Sequence, residues 1–283
     1  MTAHTEPEDD VAAAADREPE IERLLDVVFA RYHYDFRSYA AASLKRRLRA
    51  ALVRFGVPTV VALEERVTGD PAAFTALLRY LTVQVSDLFR DPSYFRAIRE
   101  QVVPYLATYP SLKVWVAGCA TGEEAYSLAI LFAEEGLLER TLIYATDINP
   151  ESLRTAREGV YDLDRFPRFS QNYQAAGGKA SLSDYYTARY AGALFDRRLK
   201  SAILFSDHSL ATDSAFAEVQ LASCRNVLIY FDRELQERAV GLLHESLCHL
   251  GFLGLGSRES LRFSGHAPAF RELAPSERIY QHL

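Results

Sequence analysis

The feature that most constrains this chain is a change of hydrophobic grammar at residue 112. Leu112–Ala117 is a short, mostly apolar run of strand length that stops at Gly118. The loop Cys119-Ala120-Thr121-Gly122 follows, and apolar side chains then recur at helical spacing from Glu123 to about Glu135. A second run, Thr141–Thr146, ends at Asp147, and Glu151–Gly159 reads as a helix. Further strands read at Ala202–Ser206, Val219–Ser223, Gly251–Leu255 and Arg278–His282, with a helix from about Asp232 to His249. Strands alternating with helices predict a mostly parallel sheet covered on both faces.

Ahead of that unit the pattern is helical. Ile21, Leu24, Leu25, Val28 and Phe29 share one helix face, and Leu44, Leu48, Ala51, Leu52 and Phe55 form the stripe of a second helix that Ser43 can cap. Asp70-Pro71 and Asp91-Pro92 each open another helix. Residues 21–109 are therefore expected to form an all-helical domain and residues 110–283 an α/β domain. Residues 161–200, rich in Tyr and Arg, delay the next strand and are read as an insertion within it.

Charge narrows the function classes. The chain of 283 residues has 32 Lys+Arg and 38 Asp+Glu, a net charge of −6. Residues 1–20 hold seven acids and one base, so the remainder is balanced. Such a balance argues against general nucleic-acid binding. The acidic stretch is expected to be a disordered tail. No apolar run reaches the length of a membrane span, and no basic start precedes an apolar stretch, so no membrane insertion is expected. The three cysteines, Cys119, Cys224 and Cys248, are far apart. They suit a reducing compartment, read as the cytoplasm. The seven histidines have no metal-ligand spacing, and no metal is expected.

In an open parallel sheet, ligands bind beyond the carboxyl ends of the strands. Two features sit there. Gly118 lets a backbone approach a ligand and Gly122 closes the turn into the helix. Asp147 follows Gly118 by 29 residues and can accept both hydroxyls of a ribose. A dinucleotide needs a helix N-terminus aimed at its pyrophosphate, whereas this helix opens on Glu123-Glu124. Those acids favour a cationic, phosphate-free nucleoside, S-adenosylmethionine, over a nicotinamide dinucleotide. The plainer alternative is a tight turn whose glutamates meet the helix dipole.

Four segments then resemble one family: Leu81-Thr82-Val83-Gln84-Val85-Ser86-Asp87-Leu88-Phe89-Arg90, Gly118-Cys119-Ala120-Thr121-Gly122-Glu123-Glu124-Ala125-Tyr126-Ser127, Ala145-Thr146-Asp147-Ile148 and Cys224-Arg225-Asn226-Val227-Leu228-Ile229-Tyr230-Phe231. In order and spacing they are similar to the CheR chemotaxis receptor methyltransferases, over roughly residues 20–282. The resemblance implies an N-terminal helical domain, a class I (Rossmann-like) S-adenosylmethionine-dependent methyltransferase domain and a small inserted β-subdomain. It implies methyl transfer from S-adenosylmethionine to glutamate side chains of chemoreceptors, leaving S-adenosylhomocysteine. By motif match, Glu123 and Asp147 would hold the amino-acid and ribose parts of the cofactor, and Ser209 and Leu210 its adenine side. Gln84, Ser86, Arg90, Gly118, Arg225 and Asn226 would also contact it. Arg90 and Tyr230 would stand at the reacting centre. Gln84, Ser86 and Ser209 stand where the family usually has Asn, Thr and Asn. The insert lacks the glycine-bearing hairpin of members that dock onto a receptor C-terminal peptide.

Structural alternatives accompany these roles. Arg90 can pair locally with Asp87 or Asp91, and Tyr230 can simply pack in an apolar run. The basic helix with Lys45, Arg46, Arg47, Arg49 and Arg54 is either a solvated face or a surface that steers an acidic receptor bundle, with Arg46, Arg47 and Arg49 as docking residues. The expected partner is the cytoplasmic part of a chemoreceptor or receptor-like sensor, and the expected state a monomer. The alternative from another class is a non-catalytic S-adenosylmethionine-binding signalling module.

Overall fold

A computed structural model describes residues 18–283. Of the expected acidic tail, residues 1–17 lie outside the described residues. Glu18, Pro19 and Glu20 form the first turn of a helix, where the two glutamates face the positive end of its dipole. The described residues divide into two compact units, residues 18–83 with Tyr230–Leu235, and residues 84–229 with Gln236–Leu283.

The first unit contains α1 (Glu18–Tyr32), α2 (Ala41–Phe55), α3 (Val60–Gly69) and α4 (Pro71–Leu81). Its core is the predicted apolar faces: Leu24, Val28, Leu48, Leu52, Leu63, Val67, Leu77 and Leu81 are all buried. Tyr32 stacks on Phe74 with ring centres 3.8 Å apart. Asp70 caps α4 by accepting the Ala72 N–H at 2.8 Å. Ser43 does not cap α2. That helix begins at Ala41 without a side-chain cap, which puts Ser43 inside the first turn. Gly56, in the left-handed region, closes it with N–H bonds back to Leu52 and Val53.

The second unit begins with α5 (Pro92–Ala97), a π-helical turn Ile98–Val102 and α6 (Val103–Leu106). The domain boundary expected at 109 is therefore displaced to Val83. Burial explains the shift. Leu88, Phe89, Phe95, Ile98, Val102 and Leu106 join one core with Leu112, Val114 and Val116 of the first strand.

The main sheet has seven strands: β1 (Leu112–Ala117), β2 (Thr141–Asp147), β6 (Ile203–Asp207), β7 (Val219–Cys224), β8 (Leu247–Leu255), β9 (Phe270–Ala274) and β10 (Ile279–His282). Their spatial order is β6-β2-β1-β7-β8-β10-β9. The pairs from β6 through β8 are parallel, while β10 is antiparallel to both β8 and β9. Two helices, α7 (Glu123–Glu134) and α8 (Pro150–Glu158), connect β1, β2 and the insert. The insert carries β3 (Val160–Asp162), α9 (Phe166–Ala175), β4 (Tyr186–Arg189) and β5 (Gly192–Phe195), a three-stranded antiparallel sheet ordered β3-β5-β4. After α10 (Arg197–Ser201) and β6, helix α11 (Arg233–Ser246) leads into β8. Among the described residues, no helix is long and apolar enough to cross a membrane.

Candidate functional site

The sheet register brings the two sequence landmarks together. Ala117 pairs with Thr146, so Gly118 and Asp147 leave the same end of adjacent strands. On the other side of β1, Val116 pairs with Ser223, so the β7 loop starting at Arg225 leaves at that end as well. The chain steps from β1 to β2 on one side and meets β7 on the other, which makes this edge the topological switch point.

Asp147 is held by the loop it faces. One carboxylate oxygen accepts the Ala120 N–H and the other the Asn149 N–H, both at 2.8 Å. Burial pushes its carboxyl above the ordinary range. The backbone N–H groups oppose that shift, and the neighbouring Asp207 adds to it. Each oxygen keeps acceptor capacity for a hydroxyl donor.

Gly118 is closely packed. Its φ is +71°, and a Cβ there would stand 2.4 Å from a Val227 methyl. The space its Cβ would enter is filled by the β7 loop, so its small size is needed for packing between two loops. Gly122, at φ +95°, is pressed against Ala156 of α8.

The two glutamates opening α7 diverge. Glu123 is fully buried, and its oxygens accept from Arg165 Nη1 and the Thr121 hydroxyl, each at 2.7 Å. Glu124 turns the other way, accepting from Ser223 at 2.6 Å and from Arg225 at 2.9 Å. Neither is the bare negative charge that the sequence suggested, because an arginine compensates each.

Arg225 is turned inward. Its side chain is 1% exposed, which leaves only its main chain to face a cofactor. Its guanidinium pairs with Glu124 and Asp91, donates to the Arg90 carbonyl and lies 4.0 Å over the Tyr94 ring. Asn226, at φ +59°, donates its N–H to Glu259 at 2.9 Å.

Arg90 emerges differently from its neighbours. Asp87 is taken by Arg165 and Arg168, and Asp91 by Arg225. The local ion pairs open to Arg90 are thus used by others, and among the described residues its half-buried guanidinium has no partner. Upstream, the Gln84 side-chain amide nitrogen is buried with no hydrogen-bond partner among the described residues. The Ser86 carbonyl accepts from Arg165.

Ser209 and Leu210 follow β6. The Ser209 hydroxyl accepts the Ala211 N–H at 3.2 Å, its N–H donates to Asp213 at 2.9 Å, and Leu210 is buried. Tyr230 belongs to the first unit, where the Arg47 guanidinium lies 4.5 Å from its ring centre. Arg47 is likewise not a docking residue. It is 8% exposed and donates to the Leu81 carbonyl at 2.5 Å. Arg46 and Arg49 on the same helix are exposed.

Two residues escaped sequence reasoning. Arg165 carried no periodic or motif signal. Glu259, 4% exposed, accepts N–H groups of Gly256, Asn226 and Ile229 at 2.6, 2.9 and 3.3 Å and so fastens the β7 loop.

The donor set suits an adenosyl cofactor better than a diphosphate. It offers a fixed carboxylate for ribose hydroxyls at Asp147 and an unpartnered amide at Gln84. The arginines beside the loop, Arg165 and Arg225, are already committed to carboxylates. Among the described residues, no three metal-ligating side chains converge.

Residues 84–277 match the family described as CheR methyltransferase, SAM binding domain. Residues 19–82 match the one described as CheR methyltransferase, all-alpha domain. The chain is 55% identical over 262 residues to "Putative methyltransferase Cher3" of Pseudomonas putida, covering 93% of this chain and 96% of that one. It is 32% identical over 247 residues to an uncharacterized 104.1 kDa protein of Rhodobacter capsulatus, covering 84% of this chain and 25% of that longer one. It is 30% identical over 240 residues to "Chemotaxis protein methyltransferase 2" of Pseudomonas aeruginosa, covering 80% and 76%.

Proposed function

The chain belongs to the CheR methyltransferase family and carries its S-adenosylmethionine-binding domain, and from that premise we propose that it methylates glutamate side chains of chemoreceptors or receptor-like sensors. The products are glutamyl methyl esters and S-adenosylhomocysteine. When bound, S-adenosylmethionine supplies a methyl group on a cationic sulfur. A glutamate carboxylate, with an ordinary pKa of about 4.3, is already the nucleophile at neutral pH, so no residue of this chain need act as a base. The work left to the protein is alignment and the exclusion of water.

The observation that carries this reading is the free guanidinium of Arg90. Its acidic neighbours Asp87 and Asp91 are engaged by Arg165, Arg168 and Arg225, while Arg225 anchors its main chain. An arginine held by its backbone and unpaired at its head suits the orienting of an incoming carboxylate. Asp147 holds the ribose side of the cofactor and Glu123 its amino-acid side, with Gln84, Ser86, Ser209, Leu210 and Asn226 as further contacts. Tyr230 is the second residue that the family resemblance gives to the reacting centre. Arg46 and Arg49 steer the enzyme to the acidic face of a receptor. Three free, buried cysteines support a reducing compartment, the cytoplasm.

The test is transfer of a labelled methyl group to cytoplasmic receptor fragments, followed by mapping of the label. Base-labile label on glutamates, lost in Arg90→Ala while cofactor binding persists, is the expected result. Cofactor binding without any transfer would favour a non-catalytic signalling module instead.

A further inference from the structure

Arg90 stands between two residues in the left-handed region, Phe89 at φ +51° and Asp91 at φ +58°. Neither is glycine, and that conformation is unfavourable for a residue with a Cβ. It persists only where the surroundings over-determine the backbone. Around Arg90 they do. The Ser86 carbonyl accepts from Arg165, and the Leu88 carbonyl accepts from Asn172 Nδ2 at 3.0 Å. The Phe89 N–H donates to the Ser127 hydroxyl at 2.8 Å, and the Arg90 carbonyl accepts from Arg225 at 3.0 Å.

These tethers come from three parts of the fold. Arg165 and Asn172 belong to the insert, Ser127 to α7 and Arg225 to the β7 loop. The insert also covers Phe89, whose buried ring meets that of Tyr173 with centres 5.4 Å apart. Asn172 is half-buried on α9. Its amide must turn a nitrogen to Leu88, because a carbonyl can only accept. Ser127 is fully buried and gives its own proton to the Glu123 carbonyl at 2.7 Å, which leaves a lone pair for the Phe89 N–H. A main chain held on both sides of Arg90, with a free guanidinium at the end of its side chain, aims that cation from a fixed base.

We propose that Asn172 of the insert and Ser127 of α7 are positioning residues for Arg90, holding its strained segment so that the guanidinium meets the incoming carboxylate. The proposal rests on the reading of Arg90 as the residue that orients that carboxylate. It gives the insert a part in the transfer step that is separate from cofactor binding.

The experiment pairs methyl transfer to a cytoplasmic receptor fragment with calorimetric binding of S-adenosylhomocysteine. Asn172→Leu and Asn172→Asp both remove the donor to Leu88 and nearly keep the side chain's shape. Each should lower kcat/KM for the receptor fragment by roughly tenfold, the scale of one lost hydrogen bond, with S-adenosylhomocysteine affinity within about twofold of wild type. Asn172→Gln, which carries the same donor on a longer arm, should recover part of the rate. Ser127→Ala should lower kcat/KM by a similar factor. A wild-type rate in Asn172→Leu or in Ser127→Ala would overturn the proposal. Equal losses of rate and of cofactor affinity in the Asn172 variants would also overturn it, because they would mark a general loosening of the unit. Wild type that binds S-adenosylhomocysteine and transfers no methyl group would instead refute the functional reading, and the positioning roles with it.

Discussion

The Arg225 guanidinium donates to the main-chain carbonyl of Arg90 at 3.0 Å, joining residues 135 positions apart. The same side chain forms ion pairs with Glu124 and Asp91. Arg225→Met should therefore do two things. It leaves the Glu124 carboxylate facing no cation, a loss of about 3–5 kcal/mol for a broken buried pair. It also frees the segment that presents Arg90. Denaturant unfolding should show the first effect and methyl-transfer rates the second. Adding Glu124→Gln should recover part of the stability.

Asp147 gives a pH prediction. Its pKa is raised in the folded state, chiefly by burial. The fold therefore favours the neutral carboxyl. That stabilising contribution is complete below the unfolded value of about 3.9 and is lost as pH rises through the folded value. Ribose binding needs the ionised form. Affinity for S-adenosylhomocysteine should thus begin to fall, on acidification, at a higher pH than an ordinary aspartate would set. Asp147→Ala should weaken binding and remove that dependence, as titrations at several pH values would show.

Arg46 and Arg47 should separate. Arg47 is buried, donates to Leu81 and lies against Tyr230. Arg47→Met should cost about 1–3 kcal/mol of stability, read by thermal melting. Exposed Arg46→Glu should leave stability within about 0.5 kcal/mol. It should slow association with an acidic receptor fragment at low salt, with the difference shrinking as salt rises.

Gly118→Ala should be destabilising on two counts. A side chain at φ +71° costs about 1 kcal/mol, and its Cβ would overlap Val227. The total should be about 2–4 kcal/mol. Pairing it with Val227→Ala should relieve the overlap and leave the backbone cost, which a double-mutant comparison of melting temperatures would separate.

The parallel strands were legible because each is a short apolar run with a sharp stop. β1 spans the predicted Leu112–Ala117 unchanged, and β2 ends at Asp147. Strand β9, Phe270–Ala274, was not legible. Only its two end residues are buried, so neither alternation nor a continuous apolar run marks it. The start of β8 was misread for a related reason. Leu247, Cys248 and His249 follow α11 with no glycine or proline between helix and strand, and they read as its continuation. In the site, Asp147 and Glu123 stand at strand and helix ends that a sequence can locate. The burial of Arg225 and Arg47 depends on partners 101 and 34 positions away, Glu124 and Leu81, which no local pattern encodes. Arg165 looked like any surface arginine, because the carboxylate it meets lies 42 positions earlier.

The most direct measurement is a calorimetric titration of the wild-type chain with S-adenosylhomocysteine and, separately, with a nicotinamide dinucleotide. One saturable site for the first and no saturable heat from the second are expected. Saturable binding of the dinucleotide, with none of S-adenosylhomocysteine, would contradict the assignment of the Gly118–Asp147 edge.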